Sequence, residues 1–173
     1  MNMTGFTNIP IHQNIYGADE LMSKIDNGFF LVLTDTEKVP PHCSVLCQQR
    51  WYSLNYAECK VKMNAEILLK TLFSKNKPAV FMELDIYPEL KDVEKIFSKY
   101  TAIDFEKQIT CISPIKEILN ACGIPVHSNA LLYEMIDVLK NMDRIRKVYF
   151  FNSDEKVYIL PHYSVNDLQT IKP

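Results

Sequence analysis

HCSVLCQQRWYSLNY, residues 42–56, places two runs of residues with strand propensity on either side of the polar pair Gln48 and Gln49. β-Branched and aromatic side chains such as Val45 and Trp51 fit the pleated surface of a sheet. The segment therefore predicts a β-hairpin that turns at the two glutamines. The pair is not one of the Asn-Gly or Asp-Gly dipeptides of the most favoured two-residue turns, so a register shifted by one residue stays open.

The register of this hairpin decides which side chains share a face of the sheet. With the turn at the two glutamines, His42 lies opposite Asn55, and Ser44 lies opposite Ser53. Side chains that face each other across two strands point to the same face and lie roughly 5 Å apart. A register shifted by one residue would bring one of the two neighbours of Asn55 opposite the histidine instead.

The remaining segments predict an α+β fold, with a mostly antiparallel central sheet packed with helices. Apolar residues at three- and four-residue spacing indicate helices, and short apolar runs indicate strands. The predicted helices are 18–26, 63–75, 88–100, 110–121 and 129–142, and the predicted strands outside the hairpin are 29–34, 79–85, 147–152 and 156–161. Because no repeat or linker divides the chain, we expect one domain over residues 1–173, most weakly structured over residues 1–16.

Charge and hydropathy limit the partners and the compartment. The chain carries 19 Lys and Arg residues against 21 Asp and Glu residues, a net charge of −2. Binding to a phosphate backbone needs an excess of cations, so we expect no nucleic-acid partner. No apolar run reaches the roughly 20 residues of a membrane-spanning helix, and the N-terminal residues lack the pattern of a signal peptide. We therefore expect a cytoplasmic protein without a membrane span.

Glycine and cysteine usage limits the cofactors. Four glycines form neither a G-x-G-x-x-G motif nor a P-loop, and five cysteines without an export signal indicate free thiols in a reducing compartment. A zinc site made of Cys43, Cys47 and His42 is disfavoured, because the two cysteines lie about 13 Å apart along one strand at ~3.3 Å per residue. We expect neither a cofactor nor a metal ion.

The segment TCISPIKEIL, residues 110–119, carries the most promising nucleophile. Cysteine attacks as a thiolate, which the positive end of a helix or a neighbouring imidazole stabilises. Thr110 can cap the predicted helix, which makes Cys111 its first residue and leaves Pro114 in the first turn, where a missing N–H costs little. Ser113 adds a second polar side chain to that turn.

An imidazole for this thiol has to come from one of four histidines, His12, His42, His127 and His162. His42 alone opens a strand with a hairpin partner, which would hold its ring firmly. Asn55 on the returning strand can accept an imidazole N–H and orient the ring, the role of the third residue in a catalytic triad. Glu83 in the strand AVFMELD competes with Asn55 for that role.

This order of elements resembles the permuted branch of the NlpC-type papain-like cysteine hydrolases and acyltransferases. The matching segments are HCSVLCQQRWYSLN, residues 42–55, and TCISPIKEIL, residues 110–119. In unpermuted members of the family, the cysteine helix precedes the histidine strand. This chain departs from many members at Ser44, where they have glycine, and at Pro114, where they have an aromatic or small residue.

The resemblance implies a circularly permuted papain-like arrangement with Cys111 as nucleophile, His42 as general base and Asn55 as orienting residue. The backbone N–H of Cys111 would help to bind the oxyanion, supported by Thr110 and Ser113. The expected substrate carries an amide, isopeptide or ester bond, in a peptide, in peptidoglycan or in a lipid ester.

A non-catalytic function stays open beside the enzymatic one. A free cysteine is most often a small buried hydrophobe, so Cys111 can be a core residue. His42 can simply open its strand, and Asn55 can simply end one. The chain would then be a binding or structural protein on the same scaffold, for instance a viral or phage accessory or virion component with a protein partner.

Overall fold

The computed structural model describes residues 5–169. Nine strands and six helices follow one another along this part of the chain. They are β1 (Phe6–Pro10), β2 (Gln13–Ile15), α1 (Ala18–Lys24), β3 (Phe29–Thr34), β4 (His42–Cys47), β5 (Arg50–Leu54), β6 (Cys59–Asn64), α2 (Ala65–Ser74), β7 (Ala79–Leu84), α3 (Leu90–Phe97), α4 (Ser113–Ala121), α5 (Leu132–Asn141), β8 (Ile145–Phe151), β9 (Val157–Pro161) and α6 (Val165–Gln169).

A mixed, mostly antiparallel sheet of seven strands runs in the order β2-β8-β7-β3-β4-β5-β6. Only the contact between β2 and β8 is parallel, and all other neighbours in this sheet are antiparallel. The α+β class predicted from the sequence is confirmed. All five predicted helices are present, each shorter than its predicted range.

Helices cover both faces of the seven-stranded sheet. Alternate side chains of β3 enter different cores: Leu31 and Leu33 pack with α3, α4 and α5, whereas Phe30 and Val32 pack with α1 and α2. A strand buried on both faces reads as a continuous apolar run, because neither set of alternate side chains meets water. This explains the sequence FFLVLT of β3.

The two ends of the described chain differ from expectation. Strands β1 and β9 pair with each other in a separate antiparallel two-stranded sheet, whereas the sequence predicts β8 and β9 as consecutive strands of the main sheet. The segment expected to be most weakly structured, residues 1–16, contains β1 and β2 from residue 6 onward, because Ile9 and Ile15 are buried in the two cores. Residues 1–4 lie outside the described part.

The hairpin register predicted from the sequence is confirmed for the three residue pairs nearest the turn. Strands β4 and β5 pair Val45 with Tyr52, and Cys47 with Arg50. Gln48 and Gln49 make the turn, with φ angles of 47° and 62°. Two positive φ angles are the signature of a type I′ turn, whose backbone twist matches that of the flanking strands.

Strand β6, which the sequence analysis does not predict, forms one edge of the seven-stranded sheet. Its pairing with β5 shifts register between Trp51 and Ser53, and Lys62 has a positive φ of 58°. The ammonium of Lys60 lies 4.9 Å from the centre of the Trp51 ring. A lysine-bearing strand with an irregular register thus borders the sheet.

The hairpin turn is a site where the stability can be raised. Glutamine has a Cβ that makes positive φ costly, while asparagine adopts this conformation more readily. We expect Gln48→Asn to raise the free energy of unfolding by about 0.5 kcal/mol and Gln48→Val, which is β-branched, to lower it by about 1 kcal/mol. Urea unfolding of the wild-type protein and both variants measures this. Equal stabilities of the three proteins would contradict an energetic cost of the positive φ at Gln48.

Candidate functional site

Cys111 lies in a turn that leads into α4. The sequence predicts Thr110 as the helix cap and Cys111 as the first helical residue, but α4 begins at Ser113, with Ile112 as the N-cap and no capping side chain. Ser113 Oγ instead accepts a hydrogen bond of 2.9 Å from the Thr110 N–H. The Ser113 hydroxyl thus closes the turn before α4, while the Thr110 hydroxyl makes no capping bond among the described residues. The helix starts two residues later than Cys111.

The surroundings of Cys111 act on its thiol in opposite directions. Burial raises the pKa of the thiol, because the charged form loses hydration. Three backbone N–H groups, those of Cys43, Cys111 and Ile112, lower the pKa by interacting with the sulfur, and Lys116 lowers it further. Burial outweighs these effects, so the pKa stays above its ordinary value and the thiol is mostly protonated at neutral pH.

His42 opens β4, as predicted, and its imidazole contacts Ser53 on the paired strand. The distance from Nε2 to Ser53 Oγ is 2.9 Å. Burial lowers the pKa of the imidazole, and Asp35 opposes this effect only in part. At neutral pH the ring is therefore uncharged and able to accept a proton.

The thiol and the imidazole border one cavity of about 590 Å³ at the end of the sheet. Cys43, next in the chain after His42, interacts with the Cys111 sulfur through its N–H. The imidazole itself points to the face of the sheet that α2 covers, together with Ser53. Within residues 5–169, no hydrogen bond joins the imidazole to the thiol.

Asn55 is occupied by the turn that follows β5. Its side-chain oxygen accepts hydrogen bonds of 2.9 Å from the N–H groups of Ala57 and Glu58. The contact to the imidazole that the sequence analysis assigns to Asn55 is made by Ser53. The predicted register contained the signal for this, since Ser53 lies on the same face as Asn55, two residues closer to the turn.

Glu83, the alternative third residue, lies toward the other end of the sheet. On β7, Glu83 pairs with Phe30 of the neighbouring strand β3. On β4, His42 pairs with Thr34 of the same strand β3. Four residues along a strand correspond to about 13 Å. The carboxylate of Glu83 lies 3.6 Å from Arg146, so the structure does not bring it to His42.

A comparison with known protein families, curated proteins and solved structures finds no match for this chain. Among the helices of residues 5–169, none combines the length and apolar character needed to cross a membrane. In the same range, no group of three or more His, Cys, Asp or Glu side chains could hold a metal ion.

The buried imidazole makes stability depend on pH. The pKa of His42 is lower in the folded chain than in the unfolded chain, so below about pH 6.5 the unfolded state binds the proton more readily. We expect the free energy of unfolding to fall between pH 7.5 and pH 5.5, and to fall less in His42→Gln. Urea unfolding at both pH values measures this.

The exposed His127 supplies the matched control for this measurement, through His127→Gln at the same two pH values. This control variant shows how much the pH dependence changes when the chain loses an imidazole that does not contact Ser53. If the wild-type protein lost no more stability on acidification than His42→Gln does, the buried neutral imidazole would be contradicted.

Proposed function

We propose that the chain is a thiol hydrolase or acyl-transfer enzyme that acts on an amide, isopeptide or ester bond, with Cys111 as nucleophile and His42 as general base. The observation that carries this proposal is the position of the Cys111 sulfur. It lies beside three backbone N–H groups, on the wall of a cavity that His42 also borders. Such N–H groups stabilise negative charge on the thiolate or on a developing oxyanion.

The reaction begins when the neutral imidazole of His42 takes the proton of the Cys111 thiol. The thiolate attacks the substrate carbonyl, and the backbone N–H of Cys111 helps to hold the oxyanion. The imidazolium then protonates the leaving group as the thioester forms. Water or a second acceptor then attacks the thioester while the imidazole takes its proton. The thiolate of Cys111 departs and receives this proton from the imidazolium, which restores the thiol and the neutral imidazole.

One rearrangement is part of this proposal. The imidazole has to turn from Ser53 toward the cavity wall that holds Cys111, because its present hydrogen bond directs it to the α2 side of the sheet. Ser53, which already holds Nε2, is better placed than Asn55 to orient the ring before this turn. Thr110 and Ser113 support the turn that carries Cys111.

The order of elements supports a circular permutation of the papain-like arrangement. The strand with His42 precedes the helix that follows Cys111, and the two are separated by β5, β6, α2, β7 and α3. The expected substrates are a peptide, peptidoglycan or a lipid ester, and the expected compartment is the cytoplasm. Each of these is part of the proposal.

Alkylation with iodoacetamide tests the proposed nucleophile. We expect Cys111 to be modified about tenfold faster at pH 7 than Cys59 or Cys122, because Cys111 shares its cavity with the imidazole of His42. Cys59 and Cys122 are matched controls, since both are half-buried and burial raises the pKa of both thiols. Mass spectrometry of the labelled peptides gives the three rates.

The variant His42→Ala completes this test. It should reduce the labelling rate of Cys111 to that of the two control cysteines without changing theirs. If Cys111 in the wild-type protein reacts no faster than Cys59 and Cys122 between pH 6 and pH 8, the enzymatic proposal fails.

A second candidate is a non-catalytic binding or structural protein, for instance a viral or phage accessory or virion component. The observation that favours it is the resting arrangement, in which His42 is held by Ser53 and the thiol of Cys111 is mostly protonated. A protein partner would then occupy the cavity in place of a substrate. Equal labelling rates of the three cysteines would support this candidate.

A further inference from the structure

A second cavity, of about 450 Å³, also borders Cys111. Neither His42 nor Ser53 borders it, but it shares six lining residues with the first cavity, Pro40, Pro41, Phe105, Thr110, Cys111 and Leu168. Its volume is within the range of small-molecule sites, which are mostly apolar with a few placed polar groups. Most of its wall is apolar, formed by residues that include Ala130, Leu131, Leu132, Tyr163, Val165 and Leu168.

Lys116 brings a positive charge to this apolar wall. The residue is only 8% exposed, and its ammonium donates hydrogen bonds to the backbone oxygens of Ser128 and Ala130. An ammonium has three N–H donors, and among residues 5–169 only these two acceptors are supplied. Burial lowers the pKa of Lys116, and Glu134, which makes no hydrogen bond to the ammonium among the described residues, opposes this only in part. A buried charge so weakly compensated is costly, so an anion in the cavity would be stabilised there.

Thr110 adds a second unsatisfied polar group to the same wall. Its hydroxyl oxygen is buried and has no hydrogen-bond partner among the described residues. Buried polar atoms without a partner are uncommon in folded proteins. The third N–H of Lys116 and the hydroxyl of Thr110 therefore both lack a hydrogen-bond partner among the described residues. Oxygen atoms of a ligand could supply these partners.

We propose that this cavity binds an aliphatic monocarboxylate, with its carboxylate held by Lys116 and Thr110 and its hydrocarbon chain along the apolar wall. A carboxylate suits the chemistry of both groups, because it is anionic and accepts several hydrogen bonds. The chain buries methylene groups against leucine, valine and tyrosine side chains. Binding does not require a reaction at Cys111, so this proposal is independent of the proposed enzymatic function.

Calorimetric titration of the wild-type protein with octanoate, decanoate and 1-octanol tests both parts of the ligand. We expect octanoate to bind about tenfold more tightly than 1-octanol, since a charge-assisted hydrogen bond to Lys116 is lost with the alcohol. Two further methylene groups should make decanoate bind about tenfold more tightly than octanoate. Equal affinities for octanoate and 1-octanol would overturn the proposal, as would absence of binding at millimolar octanoate.

Lys116→Met removes the charge while keeping an unbranched apolar side chain. We expect it to lower the affinity for octanoate to that for 1-octanol. Lys91→Met is the matched control, because the Lys91 side chain is 76% exposed on α3 and contacts Glu89. The control should keep the wild-type preference for octanoate, and loss of that preference in the control alone would overturn the assignment to Lys116.

Ala130→Phe keeps the test decisive if Lys116→Met fails to fold. It fills the cavity from its wall while the backbone oxygen that Lys116 contacts remains, so octanoate affinity should fall at least tenfold. Unchanged octanoate binding in this variant would place the ligand elsewhere and overturn the proposal.

Discussion

The burial of β3 on both of its faces is the constraint on which the other features depend. Five of its six residues are buried, and alternate side chains serve two separate cores. A slip of one residue would exchange the two sets of side chains, so the register of both neighbouring strands is tightly specified. Because Thr34 of β3 pairs with His42, this strand also determines where the imidazole lies.

The main features of the sheet could be predicted from local sequence. The apolar run of β3 and the polar glutamine pair of the hairpin are strong signals within short segments, and both predictions agree with the structure. Local sequence does not predict β1, β2 and β6, because these strands are short or carry charged residues. The pairing of β1 and β2 also depends on partners far along the chain. Local propensity contains little information on such partners.

The candidate site was predictable only as far as backbone register determines it. Register places Ser53 and Asn55 on the face of His42, but it does not decide which of them contacts the ring. The Asn55 side chain instead accepts the N–H groups of Ala57 and Glu58 in the next turn. This is a local contact that asparagine often makes, and it competes with the contact to the imidazole. Lys116 was not predicted because its burial results from the loop around Ser128 and Ala130, which folds back over α4.

The two edges of the seven-stranded sheet have a consequence for how copies of this chain meet in solution. An exposed strand edge offers unpaired N–H and C=O groups to any other strand, and proteins avoid this with short, charged or irregular edge strands. Here β2 has three residues, and β6 has a shifted register and a lysine with positive φ. Neither edge is a regular template for a further strand, so growth of the sheet by edge-to-edge association is disfavoured.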